Sequence, residues 1–207
     1  MIAPFLAQAR AAGVKQVVLL SSMGAGFPGE PSNSGRRTLE AIVRDSGMQW
    51  TILRPSGFMQ NFSEGFLVPA VQHGVIPNPA GAGKVAMVDA GDIARVAATV
   101  FTEPATHAEQ TYDVTGSQLQ DFPEVAQAIA HATQREVQAM PMTSPQFLAM
   151  LQQAGVPAGY AEMLVRDQEA IRDGAAAVVS DVVERVGGRA AVGFSNYARE
   201  AAPQWSA

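Results

Sequence analysis

The sequence predicts an α/β fold built around a parallel sheet, on three observations. Val17, Val18, Leu19 and Leu20 form a continuous apolar run that ends in Ser21 and Ser22, the pattern of a strand buried on both faces. Residues 49–54 read as a second strand, closed by Pro55. Between the two lie a turn-rich loop and a helix-patterned stretch, which makes a β-loop-α-β unit of the kind that assembles parallel sheets. From Ser144 onward the pattern is almost wholly helical, as expected of a lobe beside the sheet.

Taken in order, residues 2–12 read as a helix with Ile2, Phe5, Leu6 and Ala9 on one face and Gly13 as its stop. The first strand spans 17–22. Residues 24–35, GAGFPGEPSNSG, carry every turn signal. A short helix at 36–46 turns Leu39, Ile42 and Val43 inward and ends at Gly47. After the strand at 49–54 come a turn at Ser56-Gly57 and a helix from about Asn61, interrupted at Pro69. Residues 77–83 read as loop and 85–88 as a short strand. Asp92 is expected to cap a helix over 93–101. A strand at 111–115 and a helix at 123–131 follow, then Ser144-Pro145 as a cap and first-turn proline. Strands 17–22, 50–54 and 111–115 are expected to be parallel neighbours. Phe147, Leu148, Leu151, Met163 and Leu164 are expected to line an apolar cavity or the core of the lobe.

Composition narrows the function. Of the 207 residues 47% are hydrophobic and 16% charged, the balance of a packed globular chain. There are 19 acidic against 14 basic residues, for a net charge of −5, and no basic run, which argues against nucleic acid as a partner. Without cysteine there is no disulfide, thiolate metal site or thiol nucleophile. His73, His107 and His131 lack metal-ligand spacing. The N-terminus lacks the form of a signal peptide, and no stretch approaches the ~20 apolar residues of a membrane span. A cytoplasmic protein is the expectation. The acidic residues gather in the second half, with 13 of the 19 beyond residue 100.

Several motif matches fail on context. Gly24-Ala25-Gly26-Phe27-Pro28-Gly29 fits G-x-G-x-x-G by letters, but a dinucleotide fingerprint needs a helix opening at the glycines. Pro28 and Pro31 instead predict an irregular loop with no helix starting near Gly29. Gly83-Lys84 is followed by Val85 rather than Ser or Thr, so it is no phosphate loop. No G-x-S-x-G is present. What remains are strand ends rich in small or polar residues, Ser21-Ser22-Met23 and Pro55-Ser56-Gly57-Phe58. Ligands of open α/β sheets bind outside the carboxyl ends of the strands, so these segments are expected to share one crevice.

The segments VVLLSSMGA, LEAIVRDSGMQWTILRPSGFMQNF, VDAGDIARVAATVF, TYDVTG and AVGFSNYAREAAPQW resemble, in order and over nearly the whole chain, the NmrA-like branch of the atypical short-chain dehydrogenases/reductases. The resemblance implies a Rossmann-type domain at 1–135, here its C-terminal part with interleaved lobe segments, and a mostly helical substrate lobe at 136–207. It implies NAD(P) as cofactor and hydride transfer to a quinone-like or other small conjugated acceptor. It equally allows a non-catalytic NAD(P)-sensing module, or a remnant without activity of its own. By the same resemblance Ser21, Ser22 and Met23 lie near the nicotinamide ribose. Pro55, Gly57 and Phe58 lie against the nicotinamide, Met59 and Asn61 on the substrate side, and Arg36 within reach of ribose hydroxyls. Two departures stand out. The family's opening strand and glycine-rich GATGxxG turn have no counterpart here, which leads us to expect a deficit of roughly 70–90 residues and an open edge on the first strand, available for self-association. The wider superfamily's Tyr-x-x-x-Lys pair is also missing, with Ser32 and Arg36 at its places; a guanidinium cannot transfer protons as lysine-supported tyrosine does.

Overall fold

A computed structural model describes residues 2–205. Its centre is a three-stranded parallel sheet in the order β1 (Gln16–Leu20), β2 (Gln49–Pro55), β4 (Gln110–Val114), with Leu20 level with Leu53, and Leu53 with Tyr112. The period-two alternation of β2 divides its side chains between two layers. Ile52 packs with Leu6, Val43 and Met48 under α1 (Ile2–Ala11) and α2 (Gly35–Arg44). Leu53, one residue on, packs with Ile93, Val96 and Val183 under α4 (Ala90–Thr102) and α8 (Val182–Arg185). Covered on both faces, β2 is buried at both Ile52 and Leu53, and its polar residues are Gln49, Thr51 and Arg54.

A second, two-stranded parallel sheet pairs β3 (Val75–Asn78) with β5 (Gln138–Pro141). The stretch at 77–83 therefore begins in a strand rather than a loop. Tertiary pairing overrode the turn signal of Pro77 and Pro79, and the chain on either side of residue 135 shares one sheet. The expected strand at 85–88 is reduced to two isolated bridges, Val85 with Gln120 and Phe58 with Val88. The remaining helices are α3 (Val68–Gln72), α5 (Phe122–Thr133), α6 (Ser144–Gln153), α7 (Ala158–Arg172) and α9 (Phe194–Ala201). Pro69 sits in the first turn of α3, where its missing N–H is harmless, instead of interrupting a longer helix.

Several local expectations are corrected. The cap of α4 is Asp89, which accepts from the Gly91 amide at 2.8 Å. Asp92 lies inside the first turn, fully buried, accepting from the Val192 amide at 2.8 Å and paired with Arg95. The cap of α6 is Thr143, which forms a reciprocal box with Gln146, so Ser144 is already helical. Strand β1 is an edge strand, and Leu20 at its end is 55% exposed. Phe5 and Leu39 face solvent; the buried residues of α2 are Val43, as expected, and Glu40, each at 1% exposure. The glycine stretch forms a 3-10 turn at Met23–Gly26 capped by Ser22, and no helix begins before Gly35. Among the described residues no helix is long and apolar enough to cross a membrane.

Candidate active site

Parallel strands deliver their carboxyl ends to one side of a sheet. The ends of β1 and β2 run into Ser21-Ser22-Met23 and Pro55-Ser56-Gly57-Phe58, and both line a cleft of about 510 Å3 whose opposite wall is α7. The structure thus brings together Ser21, Ser22, Met23, Arg36, Pro55, Gly57, Phe58 and Asn61. It does not bring Met59 to the surface. In the 3-10 turn at Met59–Phe62 residues three apart eclipse each other, so Met59 and Phe62 turn into the core together, each 2% exposed, while Asn61 faces out. A larger groove of about 680 Å3, lined by residues such as Glu124, His131 and Arg199, takes no residue from the sheet.

The cleft's two serines differ in what they offer. Ser21 donates its hydroxyl to Glu40 Oε1 at 2.7 Å. Ser22 Oγ accepts from the Gly24 amide at 3.2 Å and from Arg36 Nη1 at 3.4 Å. Both its lone pairs are engaged, and its O–H is left to donate into the cleft beside a guanidinium.

Arg36 closes the cleft on one side. Its Nε and Nη2 reach Glu30 at 3.0 and 2.9 Å. Its Nη1 and Nη2 reach Asp167 of α7 at 3.0 and 2.9 Å. With Ser22, all five guanidinium donors are taken, and Arg36 ties the loop after β1 to the helical lobe. Gly24 makes room for it, since a Cβ there would fall 2.0 Å from Arg36 Nη1. Burial raises the Asp167 carboxyl above its ordinary value, and its bonds to Arg36 only partly offset this. For Glu30 burial acts the same way, but the hydrogen bonds from Arg36 and Ser34 outweigh it and the net shift is downward.

Behind the β1–β2 end sits a buried ion cluster. Glu40 accepts from Arg54 Nε and Nη2 at 2.8 and 2.6 Å, from Arg44 at 3.0 Å, and from Ser21. Burial alone would push its carboxyl up, yet these bonds hold it below the usual range. Asp113, facing the same cluster without a bond from it, is raised by burial. The cluster fixes the Ser21 end of β1 against β2.

Apart from Ser56, Asn61 and Gln168, the rest of the cleft is mostly apolar. Phe27 and Val85 supply one part; Tyr160, Met163, Leu164 and Ile171 of α7 supply another. Phe147 and Leu151 lie apart, in the small core between α6 and α7 with Ala161, and Leu148 and Leu164 pack against it. The five lobe residues therefore divide, with Met163 and Leu164 on the cleft and the others in the core.

A family described as NAD(P)H-binding matches residues 2–104. An oxidoreductase of Bacillus subtilis, YesF, is 32% identical over 99% of this chain and 70% of its own length. An NAD(P)H azoreductase of Xenophilus azovorans is 34% identical over 100% of this chain and 72% of its own. The chain belongs to the NmrA-like family of NAD(P)H-binding reductases. This NmrA-like chain also superposes on a crystal structure of the NADPH-dependent quinone oxidoreductase QOR2 of Escherichia coli, with a TM-score of 0.82 at 25% identity, covering 96% of this chain and 71% of that one. On the triphenylmethane reductase of Citrobacter in complex with NADP(H), the TM-score is 0.79 at 28% identity, covering 96% and 69%. The Rossmann-like architecture is thereby established, and the chain spans about 70% of the length of the relatives it matches.

The cleft fits the nicotinamide end of such a cofactor. Gly57 leaves a bare backbone surface, where a Cβ would approach nothing nearer than Met87 Cγ at 4.0 Å. Pro55 and Phe58 flank it with apolar surface, and Ser22 holds a free donor. The glycine stretch does not offer a phosphate cradle. The Gly24 amide is bonded to Ser22 Oγ, and those of Ala25 and Phe27 close onto Ser22 and Gly24 carbonyls. Of these features the strand ends were readable from sequence. The Arg54–Glu40 cluster left two signs, a charge inside an apolar strand and the four-residue spacing of Arg36, Glu40 and Arg44. The partner of Arg36 left none, because Asp167 is 131 residues away.

Proposed function

We propose that the cleft carries out NAD(P)H-dependent reduction of a quinone-like or other small conjugated acceptor, in the cytoplasm where such cofactors circulate. The observation that supports this is the pairing, across one cleft, of the bare Pro55–Phe58 turn with the apolar α7 wall of Tyr160, Met163 and Leu164. A flat ring and a conjugated acceptor fit face to face between them. A reduced nicotinamide supplies hydride when bound. Pro55, Gly57 and Phe58 would hold its ring, with Ser21, Ser22 and Met23 beside the ribose. Asn61 would border the acceptor. Met59 would act from behind the surface by packing, and Arg36, at the side of the cleft, by holding α7 and Ser22.

Neither charged side chain of the cleft is placed to transfer protons, and the phenol on its wall, Tyr160, has no lysine four residues on to support it. Arg36 stays charged, and both Asp167 oxygens are bonded to it. An acceptor whose reduced anion is protonated by water suits that arrangement better than a ketone, which needs a proton as the hydride arrives. The same lack of a lysine-supported acid favours a second reading, a module that binds NAD(P) and signals its redox state without turnover. One assay separates them. NADPH oxidation followed by absorbance should require added naphthoquinone and rise with its concentration. Calorimetric binding of NADPH without any consumption would replace the reductase reading with the sensor.

We further propose that the chain self-associates through the free edge of β1. Among the described residues that edge has no pairing strand; it ends in exposed Leu20 and borders an apolar groove with Val18, Ile93 and Phe101.

A further inference from the structure

Several polar side chains of the cleft are hydrogen-bonded within the protein. Ser22 Oγ receives two hydrogen bonds, Ser56 donates to the Ala86 carbonyl, and Asp167 is bonded through both oxygens to Arg36. Gln168 stands apart. It lines the cleft from α7, and among the described residues its Oε1 is buried with no hydrogen-bond partner. Leu164 and Ile171, four residues before it and three after, lie on the same helical face and line the same cleft. A buried acceptor without a donor destabilises the fold that contains it. Leucine would fill the position without that penalty. An unpaired amide oxygen there, between Leu164 and Ile171, points to a donor that arrives with the ligand.

We propose that Gln168 is a specificity-determining residue that selects acceptors carrying an N–H or O–H donor on the ring edge. This rests on the reductase reading of the same cleft. Ser22 supplies the complementary group. Its free hydroxyl donates to an oxygen of the ligand, while Gln168 Oε1 accepts from a neighbouring donor. An amino- or hydroxy-substituted quinoid or azo compound offers both functions, whereas a bare or alkyl-substituted quinone offers only the oxygen.

The probes are 2-amino-1,4-naphthoquinone and 2-methyl-1,4-naphthoquinone, similar in size and differing in the donor. Dissociation constants are measured by equilibrium dialysis without cofactor, for the wild-type chain and for Gln168→Leu. The wild type should bind the amino compound roughly 3- to 10-fold tighter, the range of one neutral hydrogen bond. In Gln168→Leu that ratio should fall to about one. The variant's Tm should equal or exceed that of the wild type, since an unpaired buried acceptor has been removed. Equal affinities in the wild type, or failure to bind either compound, overturns the proposal. So does a variant that keeps the ratio, whether it loses NADPH affinity instead (Gln168 then faces the cofactor's amide) or simply melts earlier. Gln168→Met, whose thioether is only a weak acceptor, replaces the leucine variant if that one does not fold. A separate NADPH-oxidation assay with both quinones tests the reductase reading. The binding ratio stands or falls independently of it.

Discussion

Gly57 is the residue on which the proposed ring site turns most directly. It needs no special backbone conformation, and a Cβ built on it meets only Met87 Cγ, at 4.0 Å. The fold therefore tolerates a side chain that the cleft does not. Gly57→Val is expected to leave the Tm within about 3 °C of the wild type, the range of a surface change of ~0.5 kcal/mol. It should lower kcat/KM for NADPH-dependent quinone reduction by at least roughly tenfold, since loss of close approach to a flat ring removes more than ~1.4 kcal/mol. Unchanged turnover would move the ring away from the Pro55–Phe58 turn. Gly24 is the opposite case. Its missing Cβ makes room for Arg36, so its role is to seat the clamp rather than the ligand.

At the scale of elements, α2 is joined to the sheet through Glu40. Of the stripe expected from its apolar positions Val43 is buried and Ile42 packs beside it, but Leu39 is exposed, and a carboxylate bonded to Arg54, Arg44 and Ser21 is buried as fully as Val43. Removing one partner of a buried pair leaves an uncompensated charge. Glu40→Gln should destabilise the protein by about 3 kcal/mol in denaturant titration. The pH dependence has a definite sign. The folded carboxyl of Glu40 lies below the ordinary 4.5, so its contribution is complete above that pH and disappears as pH falls through the lower folded value. Asp113 and Asp167 are pushed upward by burial and act in the opposite sense, losing stability as pH rises past 3.8. The comparison that isolates Glu40 is the difference between wild type and variant. The gap in unfolding free energy should narrow as pH is lowered from 6 to 3, and a constant gap would show that Glu40 acts by packing alone.

For the whole molecule, the exposed edge of β1 is the feature with a consequence in solution. Unpaired N–H and C=O groups beside apolar side chains template pairing with another strand. Leu20 and Phe101 are 55% and 57% exposed beside that edge. Sedimentation of the 207-residue chain should show a concentration-dependent dimer or larger species, and Leu20→Lys should shift it toward monomer. A wild-type chain that stays monomeric across the concentration range would refute association through this edge.

Much of this was legible in the sequence because it depends on neighbours along the chain. The apolar runs before Ser21 and Pro55 mark parallel strands, prolines 28 and 31 keep a helix from opening at the glycines, and strand ends gather polar residues. These follow from local sterics and from the burial of β2 on both faces. The order β1-β2-β4 and the crevice at the strand ends follow from the unit those runs build. Other features were decided only by tertiary structure. Which aspartate caps α4 and which is buried depended on where Val192 arrives. Whether residues 75–78 pair depended on a strand more than sixty residues later. The Arg36–Asp167 clamp and the unpartnered Gln168 depend on how α7 is laid across the cleft. Periodicity places a side chain on a face of its own element, but the partner of a buried charge or amide is set by packing between elements distant in sequence, where burial makes each unpaired group costly.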